Sequence, residues 1–330
     1  MVKDELFPKG REHYPTKEVD PINFLEDNDI KQMVENIDDI NFKKEDFLKL
    51  YNCVDCAECD TEEERILLKQ KYLEKGYTFN GWEEMQQCFK DYRTPYPTNE
   101  MRMKIPEEVP KESDTLFFMG CLSTIRIPKY TEHSIDYLLS QNIDFTILDK
   151  EICCGWPFYV SGSNKELEIA INENIKIFQN YKKIICLCPA CYELFRKEYT
   201  ERMENPIRVE FIIDYLKPSK EKKTGTVAFQ HLCQLMNRGR EGSNILVEDI
   251  FRKSGYEIID VPHWCCGHGL GRMHRLDVID KIGEKRIKDF DREDIDYATT
   301  YCVSCWWWLD RFGKKFHIKP QIKDVFELLM

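Results

Sequence analysis

Two short stretches decide how this chain is read: residues 144–157, DFTILDKEICCGWP, and residues 257–270, EIIDVPHWCCGHGL. Each is an apolar run of strand length that leads into Cys-Cys-Gly. Neighbouring residues of an extended chain point to opposite sides, so aiming both thiols of a Cys-Cys pair at one site needs a sharp bend. The glycine behind each pair permits it. Outward from each triplet, cysteines recur in one order. In the first copy Cys121 is followed after thirty-one residues by Cys153-Cys154, and after thirty-three more, beginning with Gly155, by Cys188-x-x-Cys191. In the second, Cys233 is followed after thirty-one residues by Cys265-Cys266, and after thirty-five more, beginning with Gly267, by Cys302-x-x-Cys305.

The surrounding sequence repeats with the cysteines. Each copy opens with an apolar run (Thr115–Met119; Thr226–Gln230) and continues through a helical stretch to a second run (Asp144–Leu148; Glu257–Val261). After Cys-Cys-Gly comes an amphipathic helix (Asn164–Asn180; Gly271–Phe290), then a third run ending in Cys-x-x-Cys. Strands alternating with helices imply parallel βαβ units. The expected fold class is α/β: two tandem, pseudo-twofold-related α/β domains with short parallel sheets, at residues 113–222 and 223–330. A mainly helical N-terminal segment, residues 1–112, precedes them. Its apolar period is near 3.6 in Ile30–Leu50 and again after Thr61, with Cys53-x-x-Cys56-x-x-Cys59 between the two stretches. The proline-containing stretch from Arg93 to Ser113 reads as a linker.

A chain of 330 residues can bury its own cores without disulfides, so its fifteen cysteines need another explanation. The count is odd and MVKDELFPKGREHY carries no apolar signal segment, which predicts a cytoplasmic protein rather than an exported disulfide scaffold. No stretch approaches the roughly 18 apolar residues of a membrane helix, so no direct membrane insertion is expected. A net charge of -11 argues against nucleic acid. Cysteines at the ends of parallel strands converge on the carboxyl edge of the sheet, where α/β folds place ligands. Closed zinc sites use four ligands, so five thiols overfill one tetrahedral ion, whereas an iron-sulfur cluster shares several irons among thiolates. Reading the two Cys-x-x-Cys pairs as redox dithiols would leave the other three cysteines of each copy as coincidental core residues.

Together these residues resemble the cysteine-rich CCG domain found in the B and D subunits of heterodisulfide reductase, whose pattern is Cys, thirty-odd residues, Cys-Cys-Gly, thirty-odd residues and Cys-x-x-Cys. The resemblance covers about Asp114 to Leu309. It implies one noncubane [4Fe-4S] cluster on Cys121, Cys153, Cys154, Cys188 and Cys191, and a second on Cys233, Cys265, Cys266, Cys302 and Cys305, with a disulfide cleaved between them. Relatives working in lactate or glycolate oxidation often have one degenerate set, whereas both sets are complete here. Cys53, Cys56 and Cys59 have ferredoxin-like spacing, and Cys88 is the remaining cysteine before the repeat, so these four are expected to hold a [4Fe-4S] cubane. Asp60 follows Cys59, and the usual Cys-Pro three residues on is missing. Cys186 is left over and reads as a small core residue.

The second copy is the more polar, with HWCCGHG where the first has EICCGWP. Reducing a disulfide takes up protons, so His231, His263 and His268 are candidate catalytic residues beside Cys265 and Cys266. Arg238, Arg240, Arg272 and Arg275 are candidates for holding an anionic thiol or disulfide. Trp306-Trp307-Trp308 spans most of a helix circumference, so at least one ring is expected to shield a cluster or face a partner. The expected function is the iron-sulfur subunit of a heterodisulfide-reductase-like complex, an oxidoreductase acting on a sulfur group such as that of CoM-S-S-CoB. Its electrons would come from a partner subunit: a flavoprotein, a ferredoxin-like protein or a membrane cytochrome. Two alternatives remain: an electron-transfer subunit of a hydroxy-acid or fumarate-linked oxidoreductase, and a non-catalytic cluster-bearing sensor or scaffold.

Overall fold

The run Thr115-Leu-Phe-Phe forms strand β1 (Thr115–Phe118), and all four residues are buried. That is the burial expected of a parallel strand covered by helices on both faces. The computed structural model describes residues 25–330 except 58, 237, 239, 241, 263, 264, 268 and 270–275. In it β1 pairs in parallel with β2 (Lys183–Cys186), and β2 with β3 (Arg208–Phe211). The second sheet runs β5 (Glu257–Ile258), β4 (Thr226–Phe229), β6 (Tyr297–Thr300), β7 (Gln321–Asp324), and every pairing is parallel. Thr146 bridges Leu116 as β5 flanks β4, so the two sheets repeat one spatial order.

The expected strand at Asp144–Leu148 shrinks to that single bridge. Thr146 makes two backbone bonds to β1, through Thr115 O and Phe117 N, both at 2.9 Å. The chain then turns so that the Glu151 carboxylate can accept from Met119 N and Gly120 N at 2.7 and 2.6 Å. The amphipathic helices form where the period placed them. Helix α8 (Asn164–Phe178) buries Leu167, Ala170, Ile171, Asn174 and Phe178 on one stripe. Its counterpart α12 runs Leu276–Lys288.

The N-terminal segment is helical, with α1 (Asp27–Glu35), α2 (Lys44–Leu50), α3 (Glu62–Glu74) and α4 (Trp82–Tyr92). These helices share an apolar core with the first sheet, while a second core surrounds Ile279, Ala298 and Phe312. Phe89 of α4 meets Phe158 at 4.6 Å between ring centroids, and Tyr51 Oη donates to Ser161 O at 2.8 Å. Residues 93–114 contain no helix or strand. They are nonetheless strapped down, with Tyr96, Met103 and Val109 buried and Arg93 O accepting from Cys153 N at 2.8 Å.

The C-terminal helix α14 (Val325–Leu329) ties the units together. Phe326 packs against Tyr130 and Tyr137 of α6 (Pro128–Ser140), and Asp324 Oδ2 lies 2.7 Å from His133 Nδ1. On α13 (Val303–Phe316) the three tryptophans divide the work. Trp308 is buried against Phe312 in the second core, Trp306 meets Tyr130, and the Arg126 guanidinium lies 5.6 Å over Trp307. Two of the rings therefore bond the first unit to the second. No helix among the described residues is long and apolar enough to cross a membrane.

Candidate metal centre

The strand ends deliver the thiols. Cys121 opens α5 (Cys121–Arg126) just past β1. Cys188 sits before α9 (Pro189–Leu194), which carries Cys191 in its first turn. Cys233 opens α10 (Cys233–Met236) past β4, and Cys302 caps α13, which carries Cys305. Cys153-Cys154 lead into α7 (Trp156–Ser161). The expected bend is present in both copies: Gly155 has φ +99° and Gly267 φ +85°. A Cβ there would stand 2.9 Å from Leu167 or from Ile282, so close packing demands glycine as well.

No disulfide joins any of the fifteen cysteines. Within the first unit Cys121 Sγ lies 3.7 Å from Cys153 Sγ, Cys154 touches Cys153 and Cys191, and Cys191 touches Cys188. The second unit repeats the sequence of contacts: Cys233 with Cys265, Cys265 with Cys266, Cys266 with Cys305 at 3.3 Å, and Cys305 with Cys302. The two groups open onto one chamber of about 90 Å³ lined by thiols of both, including Cys121, Cys154, Cys188 and Cys191 from one side and Cys233, Cys266 and Cys305 from the other. The donor set fits iron-sulfur clusters: five soft ligands per unit exceed what one tetrahedral ion takes, and the carboxylate among the described lining residues, Asp55, is paired with Lys69.

The middle thiol of each group is the acidic one. Burial disfavours a Cys154 thiolate, but hydrogen bonds from Cys153 and Cys191 more than offset it and bring the thiol down to about 6. Cys265 and Cys305 do the same for Cys266, also to about 6. Their neighbours Cys191 and Cys305, which donate those bonds and are buried, are held well above the ordinary thiol range. Cys154 and Cys266 thus lie below the ordinary thiol range, the direction that favours a thiolate.

The Cys53–Cys59 loop reaches the same chamber. Val54 and Asp55 form part of its wall. Asp55 and Ala57 adopt left-handed backbone, φ 54° and 57°. Asp55 is held by Lys69 Nζ at 3.0 Å, and Lys69 also donates to Val160 O at 2.9 Å; the two charged side chains are 7% and 1% exposed. Gln234 Nε2 donates to Asp55 O at 2.9 Å, and Gly269 comes so close to Val54 that a Cβ would meet its carbonyl oxygen at 2.2 Å. Burial and the Asp55 carboxylate push the Cys53 thiol up to about 12, against the pull of Lys69 and Arg65. Arg65 also bonds Cys59, and Cys56 lies within electrostatic reach of Cys265. Cys88 is half-buried on α4, and Cys186 is fully buried in β2.

His231 is buried, with Nε2 3.0 Å from Glu248 Oε1 and Nδ1 3.4 Å from Tyr301 Oη. Two of the four candidate anion-binding arginines have carboxylate partners within the chain: Arg238 pairs with Glu62, and Arg240 with Asp214 at 2.6 Å. His263, His268, Arg272 and Arg275 lie outside the described residues. Sequence reading missed Asp55, Lys69, Glu151 and Arg286. A signal for Lys69 was available: the stripe on α3 that buries Leu68 and Tyr72 also contains Arg65 and Lys69, charges at core positions.

Comparison with known proteins agrees with the duplication. The model of the CCG cysteine-rich domain matches residues 115–196 and 227–310, half of the chain. An uncharacterized iron-sulfur protein of Methanococcus maripaludis is 25% identical over 297 residues, 81% of this chain and 58% of that protein. The B subunit of the CoM/CoB fumarate reductase of Methanothermobacter marburgensis is 25% identical over 216 residues, 63% of this chain and 42% of the relative. The chain thus spans about half the length of these curated relatives. A hypothetical protein from Helicobacter pylori shares the fold at a TM-score of 0.50 and 10% identity, over 82% of this chain and 57% of that one. Two complete thiol sets, one sheet order used twice and two matched domains lead to one assignment: the chain belongs to the CCG cysteine-rich domain family and carries that domain twice.

Proposed function

We propose that the chain is the iron-sulfur subunit of a heterodisulfide-reductase-like complex, reducing a disulfide to two thiols at paired noncubane [4Fe-4S] clusters. The observation that carries this reading is the single chamber onto which the thiols of both units open. When bound, the clusters would supply the two electrons by which R-S-S-R′, with two protons, becomes R-SH and R′-SH. Cys121, Cys153, Cys154, Cys188 and Cys191 would hold one cluster, and Cys233, Cys265, Cys266, Cys302 and Cys305 the other. Cys53, Cys56, Cys59 and Cys88 would hold a cubane fed by a partner subunit, and the nearness of Cys56 to Cys265 makes the second unit the receiving one. Trp156, Pro157, Val160 and Val54 give the chamber apolar walls that limit water. His231, oriented by Glu248, and His263 and His268 are the candidates to supply a proton.

Anaerobically loaded protein, given a reduced viologen and a disulfide, is expected to release two thiols per disulfide. A second reading, an electron-transfer subunit of a fumarate-linked oxidoreductase, is favoured by the fumarate reductase relative. It predicts cluster reduction by the dye with no thiol released from any disulfide.

A further inference from the structure

Beside the thiol chamber lies a second cavity of about 230 Å³, walled by Glu62, Trp156, Tyr159, Glu193, Lys197 and Arg238. Trp156 stands in the wall of both. Three of the four charged groups already have a partner at hydrogen-bond distance. Arg238 pairs with Glu62 and lies 5.2 Å over the Trp156 ring. Lys197 Nζ is 2.6 Å from Glu63 Oε1 and 5.5 Å over the Tyr159 ring.

Glu193 differs. It is 7% exposed, and among the described residues its buried Oε1 accepts no hydrogen bond. Arg196 Nη1 forms an ion pair with it at 3.7 Å, too far for a hydrogen bond. A buried carboxylate oxygen without a donor is costly and uncommon, so a donor belongs in the cavity. The fold itself does not require this group. Counted from the shared cysteines, Trp307 of the second unit stands where the first has Glu193, and His268 where it has Trp156.

We propose that this cavity seats the nitrogen-bearing end of the substrate: an N–H donor, ammonium or amide, bonds Glu193 while the attached sulfur passes Trp156 into the thiol chamber. The assignment rests on the disulfide-reducing reading and narrows its substrates to thiols and disulfides carrying an amine or amide near sulfur. It also moves recognition away from Arg238 and Arg240, which already have carboxylate partners.

The test uses the loaded protein and three disulfides: cystamine (ammonium), N,N′-diacetylcystamine (amide) and diethyl disulfide (no N–H). Binding is measured by calorimetry and turnover by thiol release with reduced viologen, for the native chain, Glu193→Gln and Glu193→Leu. Iron content checks that each variant still folds and loads. At least one N–H compound is expected to bind tenfold or more tightly than diethyl disulfide, and Glu193→Leu to erase that preference. Glu193→Gln, which keeps a neutral acceptor, separates the two sources: an ammonium substrate loses its preference and an amide substrate keeps it. If Leu does not load, loss of the cystamine preference in Gln, or weakened binding of both compounds there, supports the site equally well. Equal binding of all three compounds, or a preference that survives both substitutions, overturns the site even if disulfides are reduced. A Glu193-dependent preference with no thiol released keeps the site and removes the disulfide-reducing reading instead.

Discussion

In the first CCG unit, the strand end that leads to the thiols is braced by a buried carboxylate: Glu151 accepts from Met119 N and Gly120 N. In the second, a buried guanidinium stands behind them. Arg286 donates to Gln230 Oε1 at 2.6 Å, Pro262 O at 2.7 Å and Asp289 at 2.8 Å, within electrostatic reach of Cys266 and Cys305. Counted from the Cys-Cys pair, Asn174 of α8 matches Arg286, and it too supports the approach to the pair, donating to Cys153 O at 3.2 Å. One scaffold position thus does one mechanical job with different charge. A cluster gains negative charge when reduced, so a neighbouring cation favours reduction and a neighbouring anion opposes it. Arg286 lies within electrostatic reach of Cys266 and Cys305, while burial pushes the Glu151 carboxyl up to about 7, so a cluster held by the second unit would have the higher potential.

The comparison breaks most visibly if one unit is dispensable. On the proposed function, Cys154→Ser and Cys266→Ser are each expected to lower disulfide turnover at least about 100-fold and to remove about four irons, because each would take a ligand from one of two clusters acting on one chamber. Full activity in either variant, measured with iron content, would leave only one unit reactive. Lys69→Met strands the buried Asp55 without its partner and is expected to cost about 3–5 kcal/mol of stability by chemical denaturation. It should also loosen the Cys53–Cys59 loop and lower its iron while the other ten thiols stay loaded. Arg286→Met is expected to cost about 1–3 kcal/mol and to move the second unit's potential downward in a redox titration followed by EPR, and Glu151→Gln to move the first unit's upward. Shifts of opposite sign sharpen the comparison; unchanged potentials refute its electrostatic half.

The smallest effect concerns the seam between the units. The Asp324 carboxylate raises the His133 pKa above 6.5, although burial opposes it. This pair therefore contributes its full stability below pH 6.5 and loses it as pH rises through the raised value. His133→Gln should lower Tm by an amount worth about 1 kcal/mol at pH 6, with the gap closing by pH 9. A gap that stays constant with pH would assign His133 a packing role alone.

Sequence reading reached the fold and the thiols because both are written in local order: short apolar runs, a helical period and cysteines repeated at fixed intervals. Where it fell short, the cause was tertiary. Asp144–Leu148 has strand composition, but the chain leaves β1 early to bring Glu151 under Gly120, a demand no periodicity records. The stretch from Arg93 to Ser113 lacks helix and strand, as its prolines imply, but that Tyr96, Met103 and Val109 pin it to the core is set by tertiary packing. That the Cys53–Cys59 loop walls the chamber depends on Lys69 reaching Asp55 and Val160 at once, which spacing cannot encode. The Glu193 cavity was hidden for a similar reason, since its walls come from α3, α7, α9 and the turn at Arg238.

The most direct test of the central claim, that two thiol sets hold two clusters facing one substrate, is iron and acid-labile sulfide analysis with EPR of anaerobically prepared protein, before and after a thiol or disulfide is added. The account predicts about twelve irons with matching sulfide, about eight of them lost when both Cys154 and Cys266 are changed to serine, and a paramagnetic signal that the sulfur compound alters. Zinc without sulfide, or a signal indifferent to every thiol and disulfide tried, would contradict it.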